Sequence, residues 1–196
     1  MTRPNRILLA LVFLSSFPLA ASAKPLKVDP AHTGVGFQIR HLFSNVPGRF
    51  DKFEGTIDLD PAAPEKTSIV GSIDAASIDT DNEKRDAHLR NEDFFHVEKY
   101  PKITFKSTKV TDVDKEKKTA KIHGDLTMHG VTKPVVLDGA FLGSGPGPQG
   151  DQRYGFHGET TINRKDFGIA WNKALDAGGF VLGEDVKITI DVEAIE

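Results

Sequence analysis

The chain has 196 residues, with 25 lysines and arginines, 28 aspartates and glutamates, and no cysteine. This length suits one domain with a sizeable core, and the lack of cysteine excludes disulfides and thiolate catalysis. The net charge of −3 argues against a nucleic-acid or anionic-membrane partner, because both favour a basic surface.

Residues 1–23 have the features of a secretory signal peptide. Arg3 and Arg6 precede an uncharged apolar run over residues 7–20, and Ala21-Ser22-Ala23 offers a small-x-small cleavage site. The run is too short for a membrane span, and an uncleaved anchor is the alternative. We expect cleavage near Ala23, a mature domain over residues 24–196, and a periplasmic or secreted protein.

Eight segments of the mature chain alternate apolar and polar residues, the pattern of a strand with one buried face. They cover residues 35–40, 53–60, 69–75, 103–105, 120–128, 135–141, 154–162 and 186–193. Polar or Gly/Pro-rich connections at 60–64, 112–118 and 143–151 predict hairpins. The phase changes between Phe50 and Phe53, which indicates either a bulge or a strand end.

One stretch departs from this alternation. Thr80 to Glu83 fits a helical capping box, and residues 84–93 contain good helix formers without Gly or Pro. The sequence therefore predicts an all-β fold, an antiparallel eight-stranded barrel with one short helix. Closure is favoured because it removes exposed sheet edges.

Glycines on the inward strand phase suggest a hollow barrel. A strand glycine packs nothing, and five share phase with apolar residues: Gly55, Gly71, Gly124, Gly139 and Gly158. We interpret them as room for a ligand, and the alternative is that each permits a bend. An eight-stranded barrel can hold one small ligand, and an apolar wall would select an apolar one.

The helix offers candidate contacts to a polar head group. Arg85 and His88 fall on one side of it, and an arginine fork suits phosphate. The alternative is a solvated helix with an Asp86–Arg90 pair. No His-Glu-x-x-His spacing and no Gly-x-Ser-x-Gly elbow occurs, so we expect neither a metal site nor catalytic residues.

Several motifs, in order along the mature chain, resemble the YceI-like family of polyisoprenoid-binding proteins. They are Phe37-Gln38-Ile39-Arg40-His41, Val46-Pro47-Gly48-Arg49-Phe50, residues 77–80, 85–90, 93–95 and 100–105, Gly124 to Thr132, and Asn163 to Gly168. The resemblance implies an extended lipocalin-like barrel that binds isoprenoids or other long-chain amphiphiles in its interior.

Together these observations predict a non-enzymatic carrier with no cofactor other than its lipid. The expected apolar lining is Phe37, Ile39, Phe53, Ile73, Leu89, Phe94, Phe105, Leu126, Phe156 and Ile162. Arg85, His88 and Arg164 are the expected head-group contacts. The alternatives are an enzyme acting on an isoprenoid lipid or quinone, and an accessory partner of a membrane redox protein. We expect at most transient membrane contact, and the oligomeric state stays open, with a dimer among the options.

Overall fold

The computed structural model describes residues 25–176 and 178–196, so the predicted signal peptide lies outside the described residues. The strands are β1 (Pro25–Val28), β2 (Gly34–His41), β3 (Ser44–Phe50), β4 (Phe53–Asp58), β5 (Ser68–Asp74), β6 (Ile78–Asp79), β7 (Lys102–Asp114), β8 (Thr119–Met128), β9 (Val131–Pro146), β10 (Gln152–Asn163) and β11 (Leu182–Ile195). One α-helix, α1 (Glu83–Arg90), lies between β6 and β7. Short 3₁₀ turns cover Pro64–Lys66, Ala75–Ser77 and Arg164–Phe167.

The strands close into one antiparallel barrel. β1 pairs with both β4 and β11, which joins the two ends of the sheet. β1 and β2 both pair with β11, so they are successive pieces of one bent strand. β3 and β4 are likewise pieces of one strand, because β3 pairs with β2 and β4 pairs with β1. β5 and β6 form the third such strand, because β5 pairs with β4 and β6 pairs with β3. The result is the eight-stranded barrel with one helix that the sequence predicts.

The alternating segments all form strands, and the structure adds three short ones. β1, β3 and β6 were not predicted, because β1 and β6 are too short to show alternation and β3 contains Pro47 and Gly48. Two predicted connections are partly wrong, since β7 runs to Asp114 through shifts in register and β9 reaches Pro146 by pairing with Gln152. The phase change after Phe50 is a strand end, since β4 begins at Phe53.

The helix begins later than the capping box predicts. Asn82, not Thr80, is the N-cap, and its side chain accepts a hydrogen bond from the Arg85 amide. The predicted continuation to Asp93 is also wrong, because α1 ends at Arg90. Asp86 and Arg90 do not pair with each other. Asp86 accepts from Thr80, and Arg90 donates to the carbonyls of Ala76 and Ile78, so both fasten the helix to the chain before it.

Two apolar clusters occupy the interior. The larger one lies around α1 and the strand ends beside it, with Ile78, Phe94 and Phe167 among its buried members. The smaller one, built on Leu26, Ile57 and Ala194, closes the opposite end of the barrel. In the part of the chain that the structure describes, no helix is long and apolar enough to cross a membrane.

Candidate ligand-binding site

A cavity of about 470 Å³ lies inside the barrel between the two clusters. This volume falls within the range of about 300–1,000 Å³ that is typical of small-molecule sites. Inward side chains from every part of the barrel wall surround it, and they are predominantly aliphatic and aromatic. Such a wall offers few hydrogen-bonding partners, so it suits a ligand whose buried part is a hydrocarbon.

The predicted apolar lining is placed as expected with one exception. The residues that border the cavity are Phe37, Ile39, Phe53, Ile73, Leu89, Phe94, Phe105, Leu126 and Ile162. Phe156 does not border it, because its ring packs against Phe141 in the cluster that closes the far end. Alternation assigns the correct face to Phe156 but carries no information about its height in the barrel.

The five inward glycines do not act alike. Gly55 and Gly71 border the cavity and face each other across β4 and β5. A methyl group on Gly71 would meet only the Glu54 carbonyl oxygen, at 3.9 Å, so this glycine does leave open space.

The expectation that the other three glycines border the cavity is wrong. The Phe105 ring lies over Gly124, and the Ile122 side chain occupies the space beside Gly139. Gly158 is paired with Gly139 and lies near Leu137. At Gly124 and Gly139 the neighbouring side chain fills the volume that the glycine leaves, whereas a methyl group on Gly158 would make ordinary contact with Leu137 at 3.6 Å.

The end of the cavity beside α1 is its mouth, because lining residues there are open to solvent. The Arg85 guanidinium is exposed and donates to the Thr80 hydroxyl and carbonyl oxygens, at 2.7 and 2.6 Å. No described carboxylate lies within ion-pair distance of Arg85. It is therefore a cation that borders an apolar cavity without a charged partner.

His88 and Trp171 also border this mouth. The His88 ring stacks edge-on against Trp171 and Phe94, with centroids 5.0 Å apart in both pairs. Its Nε2 lies 2.9 Å from Asp93 Oδ2, so the imidazole already has a polar partner. Trp171 was not predicted, since it lies in an irregular segment without alternation. Trp171 is the only tryptophan in the sequence, and this was the one signal that could have drawn attention to it.

Arg164, the third predicted head-group contact, borders the cavity from a buried position. Only 3% of the residue is exposed. Its Nε donates to the Gly183 carbonyl, and its Nη1 donates to the carbonyls of Ile169 and Trp171. Burial lowers the pKa of this guanidinium. Arg164 therefore holds the Trp171 segment against the barrel through Nε and Nη1, while its buried Nη2 has no hydrogen-bond partner among the described residues.

Three further histidines, on β8, in the turn after β8 and on β10, each have a different partner. His123 contacts Thr111, His129 contacts the Phe167 carbonyl, and His157 contacts Asp191. A different trio, Asp29, His32 and Glu193, has its ligand atoms within 4.8 Å of one another. Arg153 already lies among them, since its Nη1 hydrogen-bonds to both carboxylates. This positive charge occupies the position that a cation would take.

Comparisons with known proteins agree with this architecture. The model of the YceI-like domain matches residues 26–194. A UPF0312 protein of Vibrio cholerae is 43% identical over 162 residues, which cover 81% of this chain and 85% of that protein. The crystal structure of the Campylobacter jejuni YCEI protein aligns with a TM-score of 0.67 at 38% identity, covering 86% of this chain and 95% of that one.

A more distant structure shares the fold. A polyisoprenoid binding domain from Saccharophagus degradans aligns with a TM-score of 0.62 at 16% identity, covering 89% of this chain and 98% of that one. At this level of identity the likeness concerns the barrel itself.

Proposed function

This chain belongs to the YceI-like family, and from that premise we propose that it is an exported carrier for a long-chain isoprenoid or a similar amphiphile. The observation that carries the proposal is the apolar cavity of about 470 Å³ in the barrel interior, which opens beside α1. The fold shared with a polyisoprenoid binding domain supports the same class of ligand. The signal-like residues 1–23 support export to the periplasm.

Burial of hydrocarbon suffices to hold such a ligand. Each CH₂ group transferred from water contributes about 0.8 kcal/mol, so ten buried carbons contribute roughly 8 kcal/mol before the costs of ordering. No covalent step is needed, and the same wall that binds the tail keeps it from water. Storage or transport of a water-insoluble molecule follows from this chemistry.

The polar end of the ligand is best placed at the α1 mouth. Arg85 is an exposed cation there with no carboxylate partner among the described residues, and His88 lies on the same helix. A phosphate, carboxylate or carbonyl oxygen at this position would accept from the guanidinium while the tail stays inside. Arg85 is thus the preferred head-group contact, with His88 beside it.

Native mass spectrometry of protein purified from its own periplasm tests the proposal. We expect a stoichiometric prenyl or long-chain species that organic extraction releases. An empty protein that also fails to take up added geranylgeraniol would overturn the proposal.

A variant pair tests the location of the site. Gly71→Leu directs a branched side chain into the cavity and should lower geranylgeraniol uptake about tenfold or more, because it displaces several ligand carbons. Gly34→Leu is the matched control, since Gly34 is a strand glycine with open space that does not border the cavity. Equal uptake by the two folded variants would place the ligand elsewhere.

A further inference from the structure

One hydrogen-bond donor at the wall of the cavity lacks a partner. Arg164 borders the cavity, and its buried Nη2 has no acceptor among the described residues. The other buried side-chain atoms without a hydrogen bond in that part of the chain, Asp151 Oδ1 and Arg153 Nε, belong to one ion pair away from the cavity. Buried polar groups are nearly always hydrogen-bonded, so the Arg164 donor indicates a partner that arrives with the ligand.

The rest of the Arg164 guanidinium is fixed to the chain. Nε and Nη1 donate to the carbonyls of Gly183, Ile169 and Trp171 at 2.8–2.9 Å. Because the guanidinium is planar, these bonds also fix the direction of Nη2. Nη2 is therefore a donor that is already in position before a ligand binds, and this lowers the cost of ordering a contact to it.

The charge of Arg164 is poorly compensated. The carbonyls around it are neutral, and no described carboxylate lies within ion-pair distance of the guanidinium. Glu184 acts on Arg164 through space, but it is exposed and pairs with Lys165. Asp166 and Asp185 are exposed as well. Since buried charges in proteins are generally paired, the barrel interior lacks a negative charge at this position.

Arg164 lies at the same end of the cavity as α1. Trp171, whose carbonyl it binds, stacks edge-on against His88 of the helix, with ring centroids 5.0 Å apart. Trp171 borders the cavity, is half-buried and belongs to a segment without helix or strand. A displacement of its side chain would open the way from the mouth to Nη2 while the tail of the ligand stays among apolar side chains.

We propose that the cavity takes long-chain amphiphiles whose head group is a carboxylate, and that Nη2 of Arg164 donates to a carboxylate oxygen. One carboxylate supplies the missing acceptor and neutralises the one buried charge. A phosphate monoester carries nearly two charges and would leave part of them uncompensated at this position. It suits the exposed Arg85 better. The inference rests on the proposed carrier function, because it requires that a hydrocarbon chain occupies the same cavity.

Three ligands with one tail and different head groups test this proposal: geranylgeraniol, geranylgeranoic acid and geranylgeranyl phosphate. Each is titrated below the concentration at which it forms micelles. Trp171 borders the cavity and is the only tryptophan of the chain, so its emission reports binding. Wild-type protein should bind the acid at least about tenfold more tightly than the alcohol, because a charge-assisted hydrogen bond replaces an unsatisfied buried donor.

A variant pair assigns this preference to Arg164. Arg164→Gln should reduce the advantage of the acid over the alcohol to about twofold or less, and should affect the phosphate less than the acid. Binding of the alcohol shows that the variant is folded. Arg90→Gln is the matched control, because Arg90 carries the same charge and also donates to two backbone carbonyls but does not border the cavity. It should keep the preference for the acid.

A crystal structure of wild-type protein with geranylgeranoic acid tests the contact without any variant. We expect a carboxylate oxygen about 2.8 Å from Arg164 Nη2. A carboxylate that lies in solvent at the mouth, or a buried water on Nη2 in its place, would overturn the proposal.

The titrations also separate this proposal from the carrier function. Protein that binds the alcohol without preferring the acid contradicts the role of Arg164 and leaves the carrier function intact. A preference that persists in Arg164→Gln, or that Arg90→Gln loses equally, contradicts that role as well. Protein that binds none of the three ligands contradicts both proposals.

Discussion

A large inward side chain decides what each neighbouring glycine does. The Phe105 ring borders the cavity on one side and covers Gly124 on the other. The missing side chain of Gly124 therefore makes room for the ring and not for a ligand. Phe37 relates to Gly48 in the same way, since the two are paired across β2 and β3 and the ring occupies the space of a missing methyl group. No side chain covers Gly71 in this way, since its missing methyl group would meet only the Glu54 carbonyl oxygen at 3.9 Å.

This difference predicts opposite effects of two alanine substitutions. Gly124→Ala should destabilise the protein by about 1–3 kcal/mol, because the new methyl group would overlap the Phe105 ring and lie 2.7 Å from the Lys106 carbonyl oxygen. Gly71→Ala should be neutral or stabilise by up to about 1 kcal/mol, since its methyl group has room and alanine costs less entropy in a strand. Urea unfolding measures both, and equal losses would contradict this account.

At the scale of elements, the ends of β1, β10 and β11 meet in a charged cluster that helps to close the barrel. Arg153 on β10 donates to Asp29, which follows β1, and to Glu193 on β11. Asp29 also receives hydrogen bonds from His32 and from the Ala31 amide. The His32 bond is the largest of the influences that lower the pKa of the Asp29 carboxyl below its ordinary value of 3.8.

The lowered pKa predicts the direction of acid sensitivity. A carboxyl that is more acidic when folded contributes stability above its unfolded pKa and loses it as the pH falls through the folded pKa. The urea midpoint should therefore decline as the pH is lowered past 3.8. Asp29→Asn should flatten this decline, and His32→Gln should flatten it in part. An unchanged pH slope in Asp29→Asn would show that the charged cluster does not stabilise the barrel.

Helix α1 illustrates how an element can be predicted while its cap is not. The motif Thr80 to Glu83 satisfies the capping box in sequence, yet Asn82 takes the cap position. Asp86 is buried and accepts hydrogen bonds from Thr80, so the threonine is committed to a tertiary contact. The capping-box rule therefore failed because the buried Asp86 carboxylate, and not the start of the helix, uses the Thr80 side chain.

The whole molecule is a ring of eight paired strands around a space that its own side chains do not fill. Closure through β1 makes the pairing of each strand depend on that of its neighbours, and the clusters at the two ends enclose the space. A ligand that fits this space contacts nearly every barrel strand at once. Its binding should therefore stabilise the folded barrel as a unit.

Ligand binding should accordingly raise the free energy of unfolding. At a free ligand concentration a hundred times the Kd, the gain is about 2.7 kcal/mol for a ligand that binds only the folded state. Urea unfolding with and without geranylgeraniol measures it, and Gly71→Leu should show little or no gain. A wild-type midpoint that does not respond to the ligand would mean that this isoprenoid does not occupy the cavity.

The sequence by itself determined the strand faces, the eight-stranded barrel, the presence of a helix and most of the apolar lining. These follow from alternation, which is a local property of each strand. Only the tertiary structure decided which glycines border a void, because Phe105 and Ile122 reach over from neighbouring strands and cover Gly124 and Gly139. It also decided that Arg164 is bonded to backbone carbonyls and that Phe156 closes the far end. Rotamers, strand register and height in the barrel set these positions, and none of them is encoded in the period of a single strand.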